Sequence, residues 1–227
     1  MSEAKVFLIQ LDDLRLQHDA LTDWLDSEER ARWAKYGREI LRRRYLAAHA
    51  ALRLILGRVL GRHPADIIFR RNEWGRPQTQ DGPAFNLSHA GPHALIAVGR
   101  DRPIGVDIET PDRRLSPEVF DAVASIAERR EAAALGVEPD DRLRLWVRKE
   151  AILKAFGLGL SFAPKALTVG VGNADSTRWR TVAVTDAGIL REFALIDLAL
   201  PFHLCGALAI GGAVNCLPRV GFQRLLV

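Results

Sequence analysis

The chain has 227 residues, 48% of them hydrophobic and 26% charged, with a formal net charge of +4. That length can bury a sizeable core, as one domain or as two modules of about a hundred residues each. No apolar run reaches membrane-spanning length, and residues 1–6 lack the basic and apolar regions of a signal peptide, so a cytoplasmic location without membrane attachment is expected. Two cysteines, Cys205 and Cys216, are too few for a disulfide scaffold or a thiolate-rich zinc site, and a reducing cytosol argues against a bridge between them. The charge is uneven. From Glu28 to Arg62 there are ten Lys/Arg and three Glu, and arginine supplies 27 of the 32 basic residues, which favours fork-like contacts to phosphate or carboxylate.

Residues 6–11 predict an opening strand, and Asp26-Ser27-Glu28-Glu29 reads as a capped helix start with acids in its first turn. A long helix is expected over 39–60, with Leu46, Ala50, Ile55 and Leu56 on its apolar face and Gly61 as its stop. Residues 67–69 predict a short strand, and Asn72-Glu73-Trp74-Gly75-Arg76-Pro77 a turn. Strands over 84–87 and 94–98 are expected to flank a loop holding Ser88 and His89, with a further strand over 103–108. Helical patterns follow near 117–135 and 140–156, with Gly157 and Gly159 marking the end of the second. Four strand-like runs then cover 166–171, 179–184, 190–196 and 204–210. The expected class is α+β, with helices packed on largely antiparallel strands in each of two modules, 1–102 and 103–227.

Two clusters carry the chemistry. Gly105-Val106-Asp107-Ile108-Glu109 places two carboxylates on one strand face, because side chains alternate with period two. Like charges so close repel unless a cation intervenes; the plainer reading is a solvated edge. Trp146-Val147-Arg148-Lys149-Glu150-Ala151-Ile152-Leu153-Lys154 sets Glu150 and Lys154 four apart on one helix face, where a simple ion pair would be worth a few tenths of a kcal/mol. Three acids and one adjacent cation suit a hard divalent metal holding phosphate oxygens. His89 can donate to phosphate or serve only the fold. Arg38, Arg42, Arg43 and Arg44, interleaved with Trp33, Tyr36 and Tyr45, can be a solvated helix face or a nucleic-acid surface.

Taken with Phe85-Asn86-Leu87-Ser88-His89-Ala90-Gly91, these two motifs resemble the 4′-phosphopantetheinyl transferase superfamily, and more narrowly its long monomeric, surfactin-synthetase-activating type. The resemblance implies a pseudo-twofold pair of similar modules and the transfer of phosphopantetheine from coenzyme A to a serine of an apo acyl, polyketide or peptidyl carrier protein. It releases adenosine 3′,5′-bisphosphate. By similarity Asp107, Glu109 and Glu150 would hold Mg²⁺, or Mn²⁺ in its place, and Glu150 would be the general base. Lys154 would bind phosphate and assist the leaving oxygen, while Arg44, Arg76, Ser88 and His89 would bind the coenzyme. Gly75-Arg76-Pro77 carries Arg where the family commonly has Lys, Arg30 stands where relatives offer lysines, and Glu128 would support the metal or be a surface charge. Carrier protein and coenzyme A are the implied partners; nucleic acid is not among them. An arginine-based nucleic-acid module and an inactive carrier-binding scaffold are the competing readings, and neither explains the three motifs together.

Overall fold

The computed structural model describes residues 3–13, 16, 19–80, 82–157, 162–172, 175, 177–212 and 219–224. The chain divides into two compact units, one within 102–219 and the other within 2–101 together with the segment from residue 220. The first unit in chain order holds β1 (Glu3–Gln10), α1 (Ser27–Ala34), α2 (Glu39–Leu60), β2 (Phe69–Arg71), β3 (Pro77–Thr79), β4 (Ala84–Ala90) and β5 (His93–Gly99). The second holds β6 (Ile104–Glu109), α3 (Pro117–Val123), α4 (Ile126–Leu135), α5 (Pro139–Phe156), β7 (Arg180–Asp186), β8 (Ile189–Asp197) and β9 (Cys205–Gly211). The last strand, β10 (Arg219–Arg224), belongs to the sheet of the first unit, whose order is β10-β1-β5-β4. The other large sheet runs β6-β9-β8-β7, with every neighbour antiparallel. Both units are α+β, each a four-stranded sheet carrying one long helix.

Local chemistry sets the helix ends. Asp26 accepts from the Glu29 N–H at 2.9 Å while Glu29 accepts from the Asp26 N–H at 3.1 Å, a reciprocal cap that starts α1. Helix α2 ends at Gly61, whose φ of 64° gives the left-handed turn that a residue with a Cβ resists. Its inner face, including Ala47, Ala51, Leu52, Ile55 and Leu56, packs on Phe7, Ile9, Phe85, Ala94 and Ile96 of the sheet. One buried arginine ties this unit together. Arg53 is fully buried, pairs with Asp26 and Glu29 at 2.8 and 2.6 Å, and donates to the Pro64 and Ile67 carbonyls at 3.1 and 2.9 Å.

Three expectations need correction. Ile67 is not in a strand: it closes the short 3-10 turn Pro64–Asp66, its carbonyl is taken by Arg53, and β2 begins at Phe69. Ser88 and His89 are not in a loop. Strand β4 runs on to Ala90, pairing Ser88 with Leu95 and His89 with Ala94, so the Gly91–Pro92 link is a two-residue turn with Gly91 at φ 55°. Residues 166–171 join no sheet. The N–H groups of Val169 and Gly170 donate to Glu128 at 2.7 and 3.3 Å, and those of Val171 and Gly172 to Glu131 at 3.0 Å each. Two helix carboxylates thus take the acceptor role that a neighbouring strand would otherwise fill. Gly159 and Cys216 lie outside the described residues; Cys205 is a free thiol, its pKa pushed up to about 12 by burial.

Candidate active site

Strand β6 and helix α5 lie in the same unit and pack on each other. The strand is buried along its whole length, so Asp107 and Glu109 are not a solvated edge. Alternation puts Gly105, Asp107 and Glu109 on one face. Across the ladder, Gly105 pairs with Ala209, Asp107 with Ala207 and Glu109 with Cys205, a row of small side chains. Ala207 and Ala209 belong to the core cluster that also holds Ala151 and Ala155 of α5, so this is the face the helix covers. Gly105 sets the closest approach: a Cβ there would come within 3.0 Å of the Ala151 carbonyl oxygen and the Ala155 nitrogen. Helix and strand backbones nearly touch, and the residues two and four positions further along the strand meet the helix's polar residues.

The consequence is one charged cluster. Lys154 Nζ donates to Asp107 Oδ1 at 2.6 Å, bridging helix and strand. Glu109 pairs with Arg113, whose guanidinium also lies over the Trp146 ring. Burial pushes Glu109 up to about 7; Arg113 and Lys154 pull it down, while Asp107 and Glu150 push it further up. Burial likewise raises Glu150 above its ordinary value, against Lys154 and Arg113 and with Asp107. All three acids therefore share one field. Their donor set is entirely carboxylate oxygen, which suits Mg²⁺ or Mn²⁺. Asp107 and Glu109 are turned to Lys154 and Arg113. Among the described residues no three His, Cys, Asp or Glu side chains already stand as a ready-made metal site.

The other charges of the helix motif face inward. Arg148 and Lys149 are fully buried. Arg148 grips Asp197 with two hydrogen bonds, at 2.8 and 2.7 Å, and donates to the Gly170 and Gly172 carbonyls. Lys149 pairs with Glu128 at 2.7 Å, both side chains shut off from water. Glu128 also caps α4 through the Ser125 N–H at 2.7 Å and is fully buried, so it is not a surface charge: it organises the fold. Sequence reasoning assigned no role to Arg113, Asp12 or Asp197. The +4 spacing of Glu109 and Arg113 could have signalled the first; the other two pair with residues 32 and 49 positions away, beyond any local pattern.

The expected coenzyme residues lie in the first unit. Arg44 on α2 is held by both oxygens of Asp12, at 2.8 and 2.7 Å. Arg76 sits in the β2–β3 turn, its N–H donating to Asn72 Oδ1 at 2.8 Å and Nη2 to the Phe85 carbonyl at 3.3 Å; burial lowers its pKa. With Arg32, Arg71, Glu29 and His49 it lines a cavity of about 240 Å³, whose described lining does not include Arg44, Ser88 or His89. Ser88 is buried and His89 exposed on the edge strand β4, pointing to opposite sides of the sheet. The aromatic residues among the arginines are used within the fold: Arg42 covers Trp33 at 5.2 Å, and Tyr45 stacks on His49 at 4.0 Å.

Comparison with known proteins gives the family. The model of the 4′-phosphopantetheinyl transferase superfamily matches residues 103–194, which contain the whole charged cluster. The 4′-phosphopantetheinyl transferase HetI of Nostoc sp. is 36% identical over 173 residues, 70% of each chain. The 4′-phosphopantetheinyl transferase psf-1 of Bacillus pumilus is 31% identical over 180 residues, 72% of this chain and 73% of that one. The 4′-phosphopantetheinyl transferase Sfp of Bacillus subtilis is 27% identical over 157 residues, 67% and 69% of the two chains. The chain belongs to the 4′-phosphopantetheinyl transferase superfamily.

Proposed function

We propose that this protein moves phosphopantetheine from coenzyme A to a serine hydroxyl of an apo acyl, polyketide or peptidyl carrier protein. The supporting observation is the junction of β6 and α5, where Asp107, Glu109, Glu150 and Lys154 share one field. In the reaction the serine oxygen bonds to the β-phosphorus of the coenzyme, and the bond to adenosine 3′,5′-bisphosphate breaks. The serine proton needs an acceptor. We assign that role to Glu150, a half-buried carboxylate that shares its surroundings with Lys154 and Asp107. Lys154 has three N–H donors, so it can hold Asp107 and a phosphate oxygen together and stabilise the leaving group's charge. Asp107, Glu109 and Glu150 would hold a divalent ion, Mg²⁺ or Mn²⁺, which when bound supplies positive charge to the diphosphate.

Arg44, Arg76, Ser88 and His89 are proposed as coenzyme contacts. For Arg44 this requires a phosphate to compete with Asp12 for the guanidinium. No helix among the described residues is long and apolar enough to cross a membrane. A cytoplasmic, monomeric enzyme is part of the proposal. The deciding assay is the mass of a purified apo carrier after incubation with coenzyme A and Mg²⁺. The intact enzyme adds one phosphopantetheine; E150Q adds it at least a hundredfold more slowly, general-base contributions being about 10²–10⁴-fold. Undiminished turnover by E150Q overturns the role of Glu150, and no mass gain on any of several carrier classes overturns the function.

A further inference from the structure

Arg113 lies four residues beyond Glu109, across a turn in which its N–H donates to the Thr110 carbonyl at 3.1 Å. Its side chain makes two contacts at once. The guanidinium pairs with Glu109 Oε1 and sits 5.7 Å from the centroid of the Trp146 ring. Trp146 is on α5, one turn before Glu150, so a single cation joins the end of the strand to the helix beside the acids. The Glu109 side chain is only 11% exposed, whereas that of Arg113 is 44% exposed. The acid is buried and its counter-ion is in reach of water.

We propose that Arg113 is the resident counter-ion of the acid cluster, holding Glu109 while no divalent cation is bound and leaving Glu109 and the Trp146 face when one enters. This rests on reading Asp107, Glu109 and Glu150 as metal ligands. The physical argument is competition. Arg113 and a divalent ion would compete for Glu109 and repel each other across a buried acid. Lys154, only 27% exposed and able to turn its other N–H donors to phosphate, stays on Asp107. The 44% exposed Arg113 is the cation that yields. A half-exposed arginine is released to water at little cost, so it works as a displaceable guard and not as a lock. Arg113 is accordingly a positioning residue that acts through Glu109. The cation–π contact makes Trp146 the reporter of its release, read against a background of four other tryptophans.

The test uses the full, coenzyme-free protein and Mn²⁺ as the probe, with free ion read by electron paramagnetic resonance and tryptophan fluorescence recorded in parallel. The wild type binds Mn²⁺ with a change in fluorescence, and W146F binds it without that change. R113Q binds about fivefold tighter, the scale expected for removing one partly exposed competing charge, whereas R113K stays near the wild type. Affinity unchanged or weakened in a folded R113Q overturns the role of Arg113 while leaving the ligand assignment standing. A fluorescence change that survives in W146F does the same, and this arm decides alone if R113Q loses its fold. A folded wild type that binds no Mn²⁺ overturns both the proposal and the metal reading.

Discussion

Replacing Gly105 by alanine tests whether the contact of β6 with α5 builds the site. The added methyl would lie closer than 3.0 Å to the Ala151 carbonyl oxygen and the Ala155 nitrogen, and 3.0 Å from Ala155 Cα. All three are helix backbone atoms, so no side-chain rotation relieves the clash and A151G in the same chain does not rescue it. The helix must move off the strand by about 1 Å to restore ordinary contact. Overpacking of a core costs about 1–3 kcal/mol, and a clash with backbone belongs at the upper end. At about 2–4 °C per kcal/mol for a chain of this size, G105A should melt about 6–12 °C below the wild type. The same shift carries Lys154 and Glu150 away from Asp107 and Glu109, and about 1 Å of misplacement can cost about 100-fold in rate. Thermal melts by circular dichroism, with carrier modification measured well below both midpoints, read the two effects separately. A G105A protein with an unchanged midpoint and full turnover would refute the claim that glycine here sets the site.

Three further outcomes follow from the charge network. E150Q removes one of three mutually repelling carboxylates, so its melting midpoint should equal or exceed that of the wild type while activity falls; a midpoint several degrees lower would mean that Glu150 serves the fold. K149M strands the fully buried Glu128 without its cation, which should cost about 3–5 kcal/mol in denaturant titrations; a loss under 1 kcal/mol would contradict the inward role of Lys149. Asp197 is pushed up by burial, yet the hydrogen bonds and charge of Arg148 and the charge of Arg180 outweigh this and hold it below the usual 3.8. A depressed carboxylate stabilises the fold above its unfolded pKa and loses that contribution as pH falls through the folded one. The stability gap between wild type and D197N should therefore be full at pH 7 and shrink below about pH 3.8; a gap independent of pH would discount the ion pairs.

Where the signal was local, the sequence was readable. The 3.6-residue apolar stripe of α2 and its closing Gly61 are properties of contiguous residues, as is the reciprocal cap of Asp26 and Glu29. Asp107, Glu109, Glu150 and Lys154 were legible as a chemical set because each pair has the spacing of its own element. The strand expected at 166–171 failed because apolar alternation says nothing of what accepts the N–H bonds, and here Glu128 and Glu131 do. The sequence suggests a loop from Ser88 to Pro92, whereas pairing with β5 runs on through Ala90 and the turn needs only Gly91 and Pro92. Arg148, Lys149, Glu150 and Lys154 look alike as letters. Which serve packing and which face the acids depends on partners 15 to 49 residues away, among them Pro164, Gly170, Asp107 and Asp197.

Strand β10 lies beside β1 in the sheet of the first unit, although more than a hundred residues of the second unit separate it from β5. During synthesis the amino-terminal sheet must therefore wait with β1 as an uncovered edge until residues 219–224 leave the ribosome. An uncovered edge invites pairing with other chains. Nicking or shortening the chain near its carboxyl end would consequently injure the half that was made first.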